Sequence, residues 1–166
     1  MNKNTIIICL AAMLIFSGCK KDDFNFLSTS YPDVPVTVTN LFGMYNGVPT
    51  VSTSLSSGGA ITITLSIPSS SGRTLKEIPR VAVASTPNNY KVVEVTTGLY
   101  NTAPLAATGT SFTFTTSLAE FTTKTGISVT TGGTATSFLS RYFYFLITLD
   151  NGQQLIPVPV RVYVAS

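Results

Sequence analysis

The side chains that usually perform acid–base or nucleophilic chemistry are scarce in this sequence. It contains no histidine, so a Ser-His or Cys-His nucleophile cannot be assembled and imidazole cannot bind a metal. A glycosidase would need two carboxylates at a fixed separation. Residues 34–166 offer Glu77 in a charged turn, Glu94 within a strand, Glu120 at a helix cap and Asp150 in a hairpin turn. Since each acid has a structural use, we predict no catalytic residue, no metal site, no cofactor and no enzyme.

Aromatic side chains are better candidates for binding. Tyr45, Tyr90 and Tyr100 lie in predicted loops, and an aromatic ring with a polar tip can stack on the flat C–H face of a sugar. We predict that Tyr100 lies at the tip of an exposed turn, Thr96–Pro104. The alternative is that these rings cover the ends of the fold, and the absence of tryptophan favours it.

The chain begins like an exported protein. Lys3 precedes an uninterrupted apolar run of eleven residues, Ile6–Phe16, which is too short to cross a bilayer as a helix. A charged start, a short apolar segment and then small residues, here Ser17 and Gly18, are typical of a secretory signal peptide. We therefore predict that residues 1–18 are removed.

The residue that follows this segment is Cys19. The stretch FSGCKKDD, Phe16–Asp23, resembles the lipobox of bacterial lipoproteins, which implies that Cys19 becomes the new N-terminus and carries lipid. Several acyl chains together give a stable membrane anchor. Cys9 would be lost with the signal peptide, so acylation accounts for the one remaining cysteine. The alternative is an ordinary secreted protein in which Cys19 has no such role.

Four charged residues come directly after Cys19. Lys20, Lys21, Asp22 and Asp23 resemble the export signal that sends lipoproteins to the outer face of the outer membrane in Bacteroidota. The resemblance implies an outer-membrane protein that faces the extracellular side, and the periplasmic face is the alternative. We predict that residues 19–33 are a flexible tether, with a span of about 20 Å for such a coil.

The remainder, residues 34–166, is predicted to form one all-β domain. Apolar and polar residues alternate in seven segments, as in half-buried strands. These segments are 34–39, 60–67, 79–85, 90–97, 111–116, 141–149 and 153–165. The strand count and the Gly/Pro-rich turns favour an Ig-like Greek-key β-sandwich, with a barrel as the alternative. The net charge of +3 is too small and scattered for a phosphate-binding stripe, so nucleic acid is not an expected partner.

Turn residues connect these segments. Asn46-Gly47 and Asn151-Gly152 suit tight hairpin turns, and Thr86–Asn89 is predicted to join segments 79–85 and 90–97 as a hairpin. Tyr142 and Tyr144 fall on the opposite face to their phenylalanine neighbours. They either line an exposed sheet face or pack under a loop.

Two prolines mark the last segment. Pro157 and Pro159 lie two residues apart, so their missing N–H donors fall on one side, and we predict a sheet edge or a bulge there. The same alternation predicts that one set of residues faces the core. These are Ile156, Val158, Val160, Val162 and Val164.

One short crossover helix is predicted after segment 111–116. Ser117 and Glu120 have the spacing of a capping box, in which each side chain bonds a free backbone N–H of the other residue. Gly126 is expected to end the helix.

The whole chain resembles the small lipoproteins of Bacteroidota encoded with SusC/SusD-type nutrient-uptake systems, including SusE/SusF-like proteins. The resemblance is carried by Phe16–Asp23 and by the closing hairpin, Tyr142–Val164. It implies a non-catalytic surface lipoprotein that binds glycan or another nutrient, with SusC/SusD-like outer-membrane proteins as partners. The alternatives are a structural or adhesion module that binds a protein partner in the outer membrane and, third, a hydrolase.

Overall fold

The computed structural model describes residues 34–129 and 137–165. All of these residues belong to one compact unit, Val34–Ser166. The predicted signal peptide, Cys19, the four charged residues after it and the tether lie outside the described residues. No helix within the described ranges is long and apolar enough to span a membrane.

The described chain is an all-β sandwich, as the alternation predicts. It contains eleven strand segments, of which six have five or more residues. They are β1 Thr37–Val38, β2 Gly43–Tyr45, β3 Val48–Ser54, β4 Ala60–Ser66, β5 Leu75–Ala84, β6 Leu105–Ala106, β7 Ser111–Ser117, β8 Ser137–Phe138, β9 Tyr142–Leu149, β10 Gln154–Leu155 and β11 Arg161–Ala165. The described residues also form one α-helix, α1 (Leu118–Thr125), and 3-10 turns at Ser69–Ser71 and Tyr90–Val93.

The strands form three sheets, with the orders β1-β4-β7, β10-β9-β5-β6 and β2-β3-β11-β8. Neighbouring strands run antiparallel, except that β11 runs parallel to β3. Because side chains alternate between the faces of a strand, every second residue of β4, β9 and β11 enters one shared apolar core. Its members include Ile61, Ile63, Leu65, Phe143, Phe145, Ile147, Val162 and Val164.

A second, smaller core lies on the opposite face of β9. Tyr144 and Leu146 pack there with Val93 of the 3-10 turn. The Tyr144 hydroxyl donates a hydrogen bond to the Thr86 carbonyl and accepts one from the Asn89 N–H at 3.1 Å. Of the two interpretations given for Tyr144, packing under a loop is therefore confirmed.

The predicted hairpin between segments 79–85 and 90–97 is wrong. One edge of β5 pairs with β9. On the other edge, Val81 accepts a hydrogen bond from the Tyr100 N–H and donates one to the Asn101 side chain, both at 2.6 Å, so segment 90–97 does not pair there. The Arg80 guanidinium instead donates hydrogen bonds to the carbonyls of Val93 and Glu94, at 3.1 and 2.6 Å. These bonds hold the segment as a turn against the sheet.

Both Asn-Gly turns are confirmed. Asn46 and Gly47 have φ angles of 53° and 77°, and they join β2 to β3 as an antiparallel hairpin. Gly152, with φ 85°, lies in the turn that joins β9 to β10, although φ at Asn151 is not positive. Positive φ at Asn46, Gly47 and Gly152 is the conformation that a tight hairpin turn requires.

The last predicted segment is divided between two sheets. β10 pairs with β9, whereas β11 pairs with β3 and β8. Pro157 and Pro159 lie in the crossover between β10 and β11. Proline has no N–H, and a crossover does not need one for a strand ladder. Both prolines are buried, whereas Val158 between them is 50% exposed. In this stretch the buried positions are therefore one residue away from those that the alternation predicts. The predicted core position of Val158 is therefore wrong, while that of Val160 is confirmed.

The predicted helix is confirmed as α1. The Ser117 side chain accepts a hydrogen bond from the Glu120 N–H at 3.1 Å, and Gly126 ends the helix with φ 70°. The second bond of the capping box is replaced, because the Glu120 carboxylate accepts from the Thr116 hydroxyl at 2.8 Å and pairs with the Lys124 ammonium at 2.9 Å.

Candidate functional site

The outer face of the sheet β2-β3-β11-β8 carries a group of aromatic rings. In β11, Val162 and Val164 point into the core, so Arg161 and Tyr163 point outward. Phe138 of β8 is the register partner of Tyr163. Their rings meet edge to face, with centroids 5.5 Å apart.

Two more rings are those of Phe42, directly before β2, and of Tyr45 in β2. The Phe42 ring stacks on Tyr163, with centroids 5.1 Å apart and an interplanar angle of 13°. The Tyr45 ring meets Phe138 edge to face at 5.0 Å and lies nearly parallel to the Phe42 ring at 6.5 Å. Phe42, Tyr45, Phe138 and Tyr163 therefore form one continuous cluster, which we call the aromatic platform.

The aromatic platform is open to solvent. Phe42 is 51% exposed and Tyr45 is 39% exposed, while Phe138 and Tyr163 are half-buried. Exposed apolar side chains that are grouped in one place are typical of surfaces that bind a protein, a membrane or a ligand. Phe42 and Tyr163 stack on each other, and an aromatic ring of this kind can bind the C–H face of a sugar with a ring face that no other ring covers.

A cation lies beside the platform. The Arg161 guanidinium carbon is 3.9 Å from the Phe138 ring centroid and 5.4 Å from that of Tyr142. This is cation–π geometry. The Arg161 Nε is buried and has no hydrogen-bond partner among the described residues. The side chain therefore fixes the Phe138 ring and places a positive charge at the platform's margin.

The three predicted tyrosines lie in three separate aromatic clusters. Tyr45 belongs to the aromatic platform. Tyr90 is 37% exposed and packs edge to face on Tyr144 at 5.8 Å. Tyr100 contacts neither of them and packs between Phe114 and Phe143. The three side chains therefore do not form a common binding site.

The predicted exposed position of Tyr100 is wrong. Its side chain is 4% exposed, and its hydroxyl is hydrogen-bonded to Thr116 Oγ1 at 2.8 Å. Burial raises the pKa of the Tyr100 phenol above its ordinary value. The Lys124 ammonium donates to the Tyr100 carbonyl at 2.7 Å, which holds the residue against α1. These contacts make Tyr100 a core residue that anchors its turn.

The carboxylates show no clustering of the kind that binds metal. Within residues 34–129 and 137–165, no group of three His, Cys, Asp or Glu residues could hold a metal ion. Glu120 is hydrogen-bonded to the Lys124 ammonium and, second, to Thr116, and these contacts lower the pKa of its carboxyl. Glu120 is therefore an ionised structural residue of the helix.

Two concave surfaces lie outside the platform. One is a groove of 540 Å³ between β6, β7 and α1, and Tyr100, Thr113 and Thr115 are among its lining residues. The other is an apolar groove of 320 Å³ lined by residues that include Leu41 and Met44. Neither groove is lined by the rings of the aromatic platform.

The chain matches no protein-family model, no curated protein and no solved structure. Its function is therefore inferred from the residues and their arrangement.

Proposed function

We propose that the protein is a non-catalytic, lipid-anchored protein of the outer-membrane surface that holds glycan for an uptake system. The observation that carries this proposal is the aromatic platform. Two nearly parallel rings, Phe42 and Tyr163, are flanked by Tyr45 and Phe138. Such a surface binds sugar rings through apolar contact without a catalytic group.

The shape of the site favours an extended ligand. The platform lies on the outer face of a sheet and is not enclosed, whereas pockets for small molecules bury most of the ligand surface. A polysaccharide needs only one face of a few sugar units to be covered. The Tyr45 hydroxyl and the Arg161 guanidinium supply polar groups at the margin for sugar hydroxyls or an acidic sugar.

Single substitutions on the full chain test the platform. Phe42→Ala and Tyr45→Ala should each reduce retention on a glycan array up to about tenfold, as expected for the loss of one aromatic contact. Tyr90→Ala is the matched control, because Tyr90 is equally exposed but lies in another cluster. Equal retention by all three variants would remove the platform from glycan binding.

The anchor is tested separately. The proposal requires a lipid on Cys19 after removal of residues 1–18, with Lys20, Lys21, Asp22 and Asp23 next in the chain. Mass spectrometry of the native N-terminus should show an acylated cysteine. An unmodified Cys19, or a chain that retains residues 1–18, would overturn the proposed lipid anchor. It would not affect the test of glycan binding by the aromatic platform.

A protein partner in the outer membrane is the second candidate. Aromatic residues and arginine are enriched in protein–protein interfaces, and Arg161 beside Phe138 fits that composition. This function predicts no glycan retention. It also predicts that Phe42→Ala, but not Tyr90→Ala, lowers the yield of a cross-linked complex with an outer-membrane partner such as a SusC/SusD-like protein.

A further inference from the structure

Strand β7 has a free edge. It lies at the end of the sheet β1-β4-β7, and among the described strands only β4 forms a ladder with it. The Ile67 N–H donates to the Thr110 carbonyl, and the Leu118 N–H donates to the Gly59 carbonyl, both at 2.9 Å. These bonds fix which pairs along the antiparallel ladder are hydrogen-bonded.

The register then shows where the other backbone groups point. Hydrogen-bonded pairs recur at every second residue, so Phe112, Phe114 and Thr116 bond to β4. Thr113 and Thr115 therefore direct their N–H and carbonyl groups away from β4, toward the free edge. The contact at 3.2 Å between the hydroxyls of Thr64 and Thr113 agrees, because side chains approach most closely at non-hydrogen-bonded pairs.

The free edge faces the groove of 540 Å³, which we call the β6–β7 groove. Thr108 and Ser111 form a β-bridge in the turn that joins β6 to β7. Beyond this bridge the two strands separate, because β6 pairs with β5 in one sheet and β7 pairs with β4 in another. The Ala107 N–H donates to the Lys76 carbonyl at 3.1 Å, so the backbone groups of Ala106 point away from β5.

Two other strand edges are closed by asparagine side chains. Asn40 donates to the Thr62 carbonyl and accepts from the Thr64 N–H, both at 2.8 Å. Asn101 accepts from the Val81 N–H at 2.6 Å and donates to the Pro79 carbonyl at 3.1 Å. Each amide thus completes a strand edge, but no described side chain does so at Thr113 and Thr115.

We infer that the β6–β7 groove binds an extended peptide segment of another protein, which adds to β7 as a further strand. The alternating donors and acceptors of Thr113 and Thr115 match the main chain of an extended peptide. The one ion pair in the lining, Lys124–Glu120, is internally neutralised, so the groove has no unpaired charge among its described lining that would select an anionic ligand.

The occupant is a single peptide strand and not a second copy of β7. The residues of the β6 side, Pro104, Leu105 and Ala106, line the same groove as Thr113 and Thr115. A second copy of β7 would bring its own sheet against this wall, whereas an isolated strand is thin enough to enter. The lining on the β6 side has no charged side chain and also includes Asn101 and Thr102, which suits recognition through the main chain.

A phage-displayed library of linear heptapeptides, selected on the immobilised full chain, supplies the probe. Synthetic copies of the enriched peptides should bind in fluorescence anisotropy and lose about tenfold in affinity with Thr115→Pro, which removes an outward N–H donor. Proline is tolerated on an edge strand, and an unchanged melting temperature verifies the fold. Thr115→Val keeps the N–H and the branched shape, so it should bind as the wild type does.

The peptide side gives a second measurement that is independent of protein variants. Methylation of the peptide amides that face β7 should abolish binding, while methylation of the alternate amides should not. The proposal is overturned if no peptide is enriched, if Thr115→Pro binds as well as Thr115→Val, or if the free edge instead forms a dimer in sedimentation. Tyr45→Ala should leave peptide affinity unchanged, which separates this result from the test of the aromatic platform.

Discussion

The ring of Tyr45 occupies the space that a side chain at Gly43 would fill. A Cβ built on Gly43 would lie 3.1 Å from Cε2 of Tyr45, which is closer than ordinary van der Waals contact. The glycine therefore allows the ring to lie back along its own strand, where it stays nearly parallel to Phe42. A residue without a side chain thus helps to set the orientation of the aromatic platform.

Gly43→Ala should shift the Tyr45 ring slightly and weaken glycan retention, but by less than Tyr45→Ala does. The strand itself should persist, because φ at Gly43 is not in the left-handed region. In a double-mutant cycle, Gly43→Ala should have no further effect once Tyr45 is alanine. Additive losses would show that Gly43 acts by another route.

Tyr144→Phe should lower the free energy of unfolding by about 1–3 kcal/mol, because the Asn89 N–H and the Thr86 carbonyl lose their partner. The measurement is urea unfolding followed by circular dichroism. Tyr90→Phe is the control, since the Tyr90 ring packs on Tyr144 at the surface and is expected to lose little. A neutral Tyr144→Phe would mean that water replaces the hydroxyl without cost.

The features that sequence reasoning predicted correctly are local. Asn46-Gly47 requires positive φ, and Ser117 caps the helix through an N–H three residues away, so each depends on a few neighbouring residues. The alternation of segment 90–97 is compatible with a strand, but its residues Tyr90–Val93 form a 3-10 turn. The competing interactions are tertiary: Arg80 bonds the carbonyls of Val93 and Glu94, and Asn101 bonds Val81 on the edge of β5.

Asn101→Ala should destabilise the domain by about 1–3 kcal/mol, because it leaves the Val81 N–H and the Pro79 carbonyl without their partner in a part-buried environment. Asn40→Ala removes the same kind of two bonds at an exposed position, where water can replace them. We therefore expect a loss below about 1 kcal/mol for Asn40→Ala. Equal losses in thermal unfolding would contradict this difference in burial.

The lowered pKa of Glu120 predicts that the free energy of unfolding decreases slightly in acid. Its pKa is lowered in the folded state, first by Lys124 and then by Thr116, so the unfolded chain binds the proton more readily. The contribution is complete above the ordinary glutamate pKa of about 4.3 and is lost as the pH falls through the lower folded value. Because the pair is exposed, the loss should stay below about 1 kcal/mol.

Thermal unfolding between about pH 3 and 6 checks this dependence around the ordinary glutamate pKa. Glu120→Gln should be less stable than the wild type at the upper end, and the difference should shrink as the pH falls. Glu94→Gln lies outside the contacts of Glu120 and serves as the control. A difference that grows with acidity would have the wrong sign for a lowered pKa.

The candidate site was less predictable than the fold. Tyr45 was singled out from the sequence, but its neighbours Phe138 and Tyr163 were not, although the alternation of β11 already placed Tyr163 opposite Val162 and Val164. What the sequence lacked was the pairing of β11 with β8 and β3, which brings distant rings to one face. The predicted exposure of Tyr100 is wrong for the same reason, because the rings that bury it, Phe114 and Phe143, lie in strands distant in sequence.

The parallel pairing of β3 with β11 has a consequence for the order in which the protein folds. β3 lies early in the described chain and β11 late in it, so one edge of β3 stays without its partner until β11 reaches it. Such distant pairing slows folding, and an unfilled strand edge invites association in the meantime. Closure of this sheet is therefore a late step of folding, and the yield of folded protein should depend on β11.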